Sequence, residues 1–268
     1  MSTLLVDIGN TRVKWAVLRG ARVSRVRAVA HGGRPAGLGA LVHKAPREIT
    51  AVMAVCVAGM KFERALRAAV RTRFGVRVSF LRSTRSAAGV RNGYRDVWRL
   101  GADRWSAVIA AHALGRLRPV LVANIGTALT LDAVAADGRH LGGAIAPGPR
   151  TMIDSLLNGT QGIRRRAWGA RPKTARGARS ATGRSPNRDS RKIFAADTAS
   201  ALDAGAAYAA AALIDRAASE ARLRLRARPL LLLTGGGAAP LHTYIRTPAR
   251  VVPDLVLQGL AILARSRP

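Results

Sequence analysis

The chain has 268 residues, 49% hydrophobic and only 4% aromatic, with 45 lysines and arginines against 14 acids for a formal net charge of +31. That length supports one large core or two ordinary ones, and the scarcity of aromatics leaves the core to Leu, Val, Ile and Ala. A single cysteine, Cys56, excludes an internal disulfide or thiolate metal cluster and fits a reducing cytoplasm, while the lack of any apolar run of about 18 residues predicts no membrane span.

Taken in chain order, Met1 leads almost directly into a strand, so no secretory leader is expected. Apolar, β-branched runs predict strands at 3–9 (TLLVDIG), 12–18 (RVKWAVL), 49–57 (ITAVMAVCV) and 76–81 (VRVSFL). KFERALRAAVRTRF at 61–74 lies between the last two as a helix, and ADRWSAVIAAHALG at 102–115 follows as another. Strands return at 119–126 (PVLVANIG), 128–135 (ALTLDAVA) and 229–236 (PLLLLTGG). Helices are expected at 198–224, where alanine, the best helix former, dominates, and at 253–266. Alternating strands and helices argue for α/β layers. The strand–turn–strand unit at the start is echoed more than a hundred residues later, which predicts two similar domains, 1–119 and 120–268.

The stretch 164–192 breaks the pattern, being crowded with Arg, Gly, Ser and Pro and almost free of apolar residues. It cannot bury enough surface to offset its chain entropy and reads as a mobile basic insertion. It and the net charge raise the possibility of contact with nucleic acid. Arginine use driven by a GC-rich genome is the plainer source of the charge, and a solvated insertion is favoured over a binding arm.

Two short loops carry the chemistry. In Asp7-Ile8-Gly9-Asn10-Thr11 a glycine turn lets a phosphate approach the backbone. Asn10 and Thr11 can donate, Lys14 adds charge, and a carboxylate at a strand end can hold Mg²⁺. A hairpin whose acid only caps the turn would look the same. The second copy, Asn124-Ile125-Gly126-Thr127, favours a pair of loops clamping a triphosphate, with Thr127 and Thr130 supplying hydroxyls. No G-x-x-x-x-G-K-[ST] occurs, so a P-loop is not the nucleotide site. Gly235-Gly236-Gly237 is a third place for close approach. Asp103, in the first turn of its helix, is either a capping acid or a general base beside Arg104, whose planar fork suits an anion. His31, His43, His112, His140 and His242 are scattered, with no metal-binding spacing.

DIGNTRVK, NGY followed by LGADRW, NIGTALTLD, GGAIAPG, TASALDAG, LLLLTGGG and PDLVLQGLAILA occur in that order over nearly the whole chain outside 164–192. Together they resemble the type III pantothenate kinases, a family that includes the Bvg accessory factor proteins. The resemblance implies two RNase H-like domains of the actin/acetate-and-sugar-kinase/Hsp70 type with ATP in the interdomain cleft. It implies phosphorylation of the primary hydroxyl of pantothenate in a cytoplasmic homodimer, the first step towards coenzyme A. By similarity, Asp7, Ile8, Gly9, Asn10, Thr11, Arg12, Val13 and Lys14 form the first ATP-phosphate loop, with Asp7 near Mg²⁺, and Gly126 and Thr127 contact ATP. Tyr94, Gly101, Ala102, Asp103 and Arg104 match the pantothenate positions, with Asp103 as proton acceptor, and Thr198 matches a contact across the dimer interface.

The family also uses a monovalent cation, K⁺ or NH₄⁺, and here the sequence departs from it. Asn124 stands where the family usually carries Asp, which predicts weaker cation binding, and Val97 stands where proline is common. The competing reading is a kinase-fold protein with weak or lost activity that acts as a nucleic-acid-associated transcriptional accessory factor.

Overall fold

The computed structural model describes residues 2–35, 37–168 and 192–266. Strands β1 (Ser2–Ile8), β2 (Arg12–Arg19), β3 (Arg22–Val23), β4 (Arg27–Ala30), β5 (Ala51–Cys56) and β6 (Val78–Phe80) form the first sheet, with helices α1 (Gly37–Lys44) and α2 (Met60–Phe74) interspersed. A small ribbon, β7 (Ser86–Ala87) and β8 (Val90–Arg91), and a 3₁₀ turn at Val97–Arg99 lead into α3 (Ala102–Gly115). The second sheet comprises β9 (Val120–Ile125), β10 (Ala128–Val134), β11 (His140–Pro147), β12 (Leu230–Thr234) and β13 (Ala249–Val251). Around it lie α4 (Pro149–Gly159), α5 (Gln161–Trp168), α6 (Thr198–Leu225), α7 (Ala238–His242) and α8 (Leu255–Arg265).

The sheets are built alike. In the first, β1 pairs antiparallel with β2 and parallel with β5, and β5 pairs parallel with β6. In the second, β9 pairs antiparallel with β10 and parallel with β12, and β12 pairs parallel with β13. Both faces of β1 are covered, which explains its unbroken apolar run. Leu5 joins a core with Val55, Trp105, Val122, Leu232 and Leu260, while Leu4, Val6 and Ile8 pack in the cluster of Leu41, Phe62 and Leu66. Likewise Leu121, Ala123 and Ile125 of β9 pack with Ala210, Ala211 and Ile214 of α6.

Helices α3 and α8 fill the space between the sheets, and residues of both sheets and both helices share one core cluster. The two helices meet closely because position 259 is glycine. A Cβ there would collide with the Ser106 carbonyl oxygen, so any larger residue would force the helices apart. The last helix in the chain thus also packs against β1, β2 and β5 of the first sheet.

Besides the short α1, β3, β4, β7, β8, α7 and β13, which the sequence reading does not include, three elements differ from it. Strand β11 is real although its sequence, HLGGAIAP, contains two glycines. The same is true of α4, which buries none of its residues. Within 164–192, residues Arg164–Trp168 are helical, because α5 packs on α4 and α6 with Ile163 and Ala167 half-buried. Residues 169–191 of that proposed insertion lie outside the described residues. No helix among the described residues is long and apolar enough to cross a membrane.

Candidate active site

The ends of β1, β9 and β12 converge on a cleft of about 1020 Å³ between the sheets. Asp7, Gly9, Asn10, Thr11, Arg12 and Lys14 line one side, and Asn124, Gly126, Thr127 and Thr130 face them. Asp103 and the turn Gly235–Gly237 complete the polar wall, while Ala207, Pro240, Leu241 and Tyr244 add apolar surface. Thr11 Oγ1 and Thr127 Oγ1 are 3.5 Å apart, so the two loops touch across the gap. Ile8 and Val13 belong to the same sequence stretch but are fully buried, so their side chains anchor the loop and leave ligand contact to its backbone.

In the first loop the Gly9 N–H donates to the Arg12 carbonyl at 3.0 Å, closing the turn. His31 braces it from below. The Gly33 N–H donates to His31 Nδ1, which leaves the proton on Nε2 to donate to the Gly9 carbonyl at 2.8 Å. The His31 backbone N–H donates to the Thr11 carbonyl, and the ring packs on Phe62 with centroids 4.6 Å apart. Asp7 closes the strand into the cleft. Burial pushes its carboxyl up to about 7; Lys14 pulls it down, and Asp103 and Asp254 push it further up.

The second loop closes one residue more tightly, with the Gly126 N–H donating to the Ala128 carbonyl at 3.0 Å. Asn124 occupies the place of Asp7. Its register partners are Thr130 on β10 and Thr234 on β12, so the side chains grouped there are an amide and two hydroxyls.

Asp103 sits in the first turn of α3, behind Gly101. Its Oδ1 accepts from the Arg104 N–H at 2.8 Å and would lie only 2.7 Å from a Cβ at position 101, so the carboxylate folds over the space that glycine leaves. Burial raises its pKa above the ordinary carboxylate range, opposed by the Arg104 N–H and guanidinium. The Arg104 fork is already engaged. Nε and Nη2 donate to Asp132 Oδ2 and Oδ1 at 2.9 and 2.7 Å, and Nη1 donates to the Tyr94 hydroxyl at 2.9 Å. His140 Nε2 lies 2.9 Å from Asp132 Oδ1, and its ring stacks on Tyr94 at 5.9 Å. Arg104, Asp132 and His140 are all nearly sealed from solvent.

The structure therefore brings the two loops and Asp103 into one cleft, with Ala102 beside Asp103 and with Tyr94 and Arg104 joined behind it. Thr198, the first residue of α6, does not line this cleft. Asp132, His140 and His31 were not identifiable as site residues from sequence. Their partners lie 28, 8 and 22 residues away, and only the folded sheets bring them together. Among the described residues no group of three or more His, Cys, Asp or Glu is arranged to hold a metal alone. Asp7, beside Asn10 and Thr11, is a hard oxygen ligand of the sort Mg²⁺ takes singly or in pairs, with phosphate and water completing its shell, so the residues fit that ion.

A family model for the type III pantothenate kinases matches residues 3–220. A type III pantothenate kinase from Xanthomonas campestris pv. campestris is 39% identical over 264 residues, covering 98% of both chains. Another, from Nitrosococcus oceani, is 34% identical over 269 residues, covering 98% of this chain and 93% of the relative. A conserved Baf family protein from Campylobacter jejuni has a similar structure, with a TM-score of 0.60 at 18% identity, covering 98% of this chain and 97% of that one. Acetate kinase from Porphyromonas gingivalis aligns with a TM-score of 0.52 at 12% identity, covering 98% and 99%. These structures share the fold, the two sheet-based halves of the actin-like kinases.

Proposed function

The chain belongs to the type III pantothenate kinases, and on that premise we propose that its cleft transfers the γ-phosphoryl group of ATP to the primary hydroxyl of pantothenate, the first step towards coenzyme A. The observation that carries this reading is the convergence of both glycine loops and Asp103 on one cleft. Relatives with the kinase name span the whole chain, which favours this reading over a nucleic-acid-associated accessory factor.

Phosphoryl transfer asks mainly for positioning and for neutralising charge on the phosphoryl oxygens. The amides around Gly9 and Gly126, with the Thr11 and Thr127 hydroxyls, hold the triphosphate from two sides. Asp7 is the residue that would hold Mg²⁺, which when bound neutralises phosphate charge. Asp103 accepts the proton of the pantothenate hydroxyl as its oxygen bonds to the γ-phosphorus and the bond to ADP breaks. Its desolvated carboxylate is a stronger base than an exposed one. Tyr94 and Arg104, fixed by Asp132 and His140, shape the wall behind Asp103 on the pantothenate side.

The monovalent cation of the family fits less well. Asn124 with Thr130 and Thr234 offers neutral oxygens in place of a carboxylate, so no step is assigned to that ion. A homodimer is the assembly that fits Thr198. Ile145 on β11, Leu156 on α4, and Ile193 and Phe194 ahead of α6 are exposed apolar side chains that a second copy would cover, and by the family resemblance Thr198 belongs to that interface. A biosynthetic kinase with one unpaired cysteine belongs in the cytoplasm.

A coupled ADP-release assay tests the reaction. Turnover should require both ATP and pantothenate, and its absence across a range of K⁺ and NH₄⁺ concentrations overturns the reading.

A further inference from the structure

Lys14 stands directly opposite Asp7 in the β1–β2 register, so Asp7 is the carboxylate its own hairpin offers it. Its ammonium bonds elsewhere. Nζ donates to Asp254 Oδ1 at 2.8 Å, a residue 240 positions away that connects β13 to α8. Both side chains are withdrawn from bulk water, at 27% and 24% exposure, so the pair is not an ordinary surface contact.

Asp254 is the N-cap of α8, yet its side chain makes no capping hydrogen bond, and its backbone lies in the left-handed region at φ 53°, ψ 37°. An acid at an N-cap ordinarily adopts an extended backbone and turns inward to accept from its helix. Here the carboxylate is directed at Lys14 instead, a conformation less favourable for the residue alone and an indication that the surroundings impose it. The turn is held in place: the Leu255 N–H faces Thr234 Oγ1 at 3.5 Å, the Val252 N–H donates to the Leu233 carbonyl, and Gln258 Nε2 donates to the Pro253 carbonyl.

We infer that Asp254 is a positioning residue for the nucleotide: it draws the Lys14 ammonium off Asp7 and holds it at the cleft wall, leaving the Asp7 oxygens open to the Mg²⁺ that would accompany the phosphates. This rests on reading the first loop as the ATP-phosphate site. Without Asp254, Lys14 turns to its register partner and neutralises the carboxylate the nucleotide needs.

Steady-state kinetics on purified full-length variants test it. Asp254→Gly suits the positive φ and Asp254→Asn keeps an acceptor for Lys14, so neither should unfold the turn. Asp254→Gly should raise the KM for ATP about tenfold and Asp254→Asn about threefold, both leaving the KM for pantothenate within about twofold of the parent. In a Lys14→Met background, Asp254→Gly should add nothing further. If both Asp254 variants keep the parent's KM for ATP while Lys14→Met does not, the inference is overturned and the phosphate-loop reading stands. If Lys14→Met also leaves it unchanged, the phosphate-loop reading falls as well. A parallel rise in both KM values with a lower melting midpoint, or an Asp254→Gly loss undiminished in the Lys14→Met background, makes the pair a plain tie between the sheets and also overturns it.

Discussion

Each glycine loop is closed by its glycine N–H donating to a carbonyl of the following strand at 3.0 Å, three residues on in the first and two in the second, and the loops differ in charge at the next-to-last residue of the strand before. The first presents Asp7 opposite Lys14, and the second presents Asn124 opposite Thr130. The hairpin geometry depends on the apolar strands and the glycine, and both halves keep these. The side chain next to the strand end projects into the cleft and is free of that constraint, so the two loops differ in charge as well as by one residue in length.

The largest effect is expected at Asp103, which belongs to neither loop. Asp103→Asn should lower kcat by about 10²- to 10⁴-fold with thermal stability retained, measured by ADP release and by melting. Because a base must be ionised to act, and burial has raised this carboxyl, the acidic limb of the kcat profile should lie above the usual carboxylate range. Next comes Asp7→Asn, which makes the first loop resemble the second. It should cut kcat/KM for ATP by about 10²- to 10³-fold, and an unchanged value would show the two loops to be chemically equivalent. The reciprocal change, Asn124→Asp, should alter activity by less than about tenfold but introduce a dependence on K⁺, seen by titrating the salt against a choline control. If the parent is already strongly K⁺-dependent, the neutral oxygens at Asn124 suffice and the two loops are chemically closer than their charges suggest.

The last effect is on stability. Folded Asp7 holds its proton up to about 7, whereas an unfolded aspartate releases it near 3.8. Its contribution is therefore complete below the lower value and lost as the pH rises through the upper one. Without nucleotide, the parent should melt progressively below Asp7→Asn as the pH is raised from about 4 to about 7, with the gap constant beyond. A constant gap across that window would show that Asp7 is solvated.

The strands β1, β5, β9 and β12 were legible because two-sided burial writes them as near-continuous apolar runs, and β2 and β10 because apolar residues fill most of their positions. Strand β11 was not, since Gly142, at φ 102°, and Gly143 erase its apolar signal, and their partners are supplied by β10 across a register shift between Ala133 and Val134. The loops and Asp103 could be read because local patterns carry them. Asp132, His140 and Asp254 could not, as each acts through a partner that only the folded chain delivers. Arg104 was read as a free fork for an anion, yet sequence gave no sign that Asp132 already fills two of its donors.

The seating of α8 against the first sheet has a consequence for biosynthesis. Leu5 and Val55 share their core cluster with Leu255, Leu257 and Leu260 as well as with α3, so the first half of the protein emerges from the ribosome with one face of its sheet only partly covered, by α3. It stays so until residues 255–265 have been made. During that interval the nascent chain is a natural client for a chaperone, and a stop codon before residue 255 would leave a product that exposes an apolar surface to its neighbours.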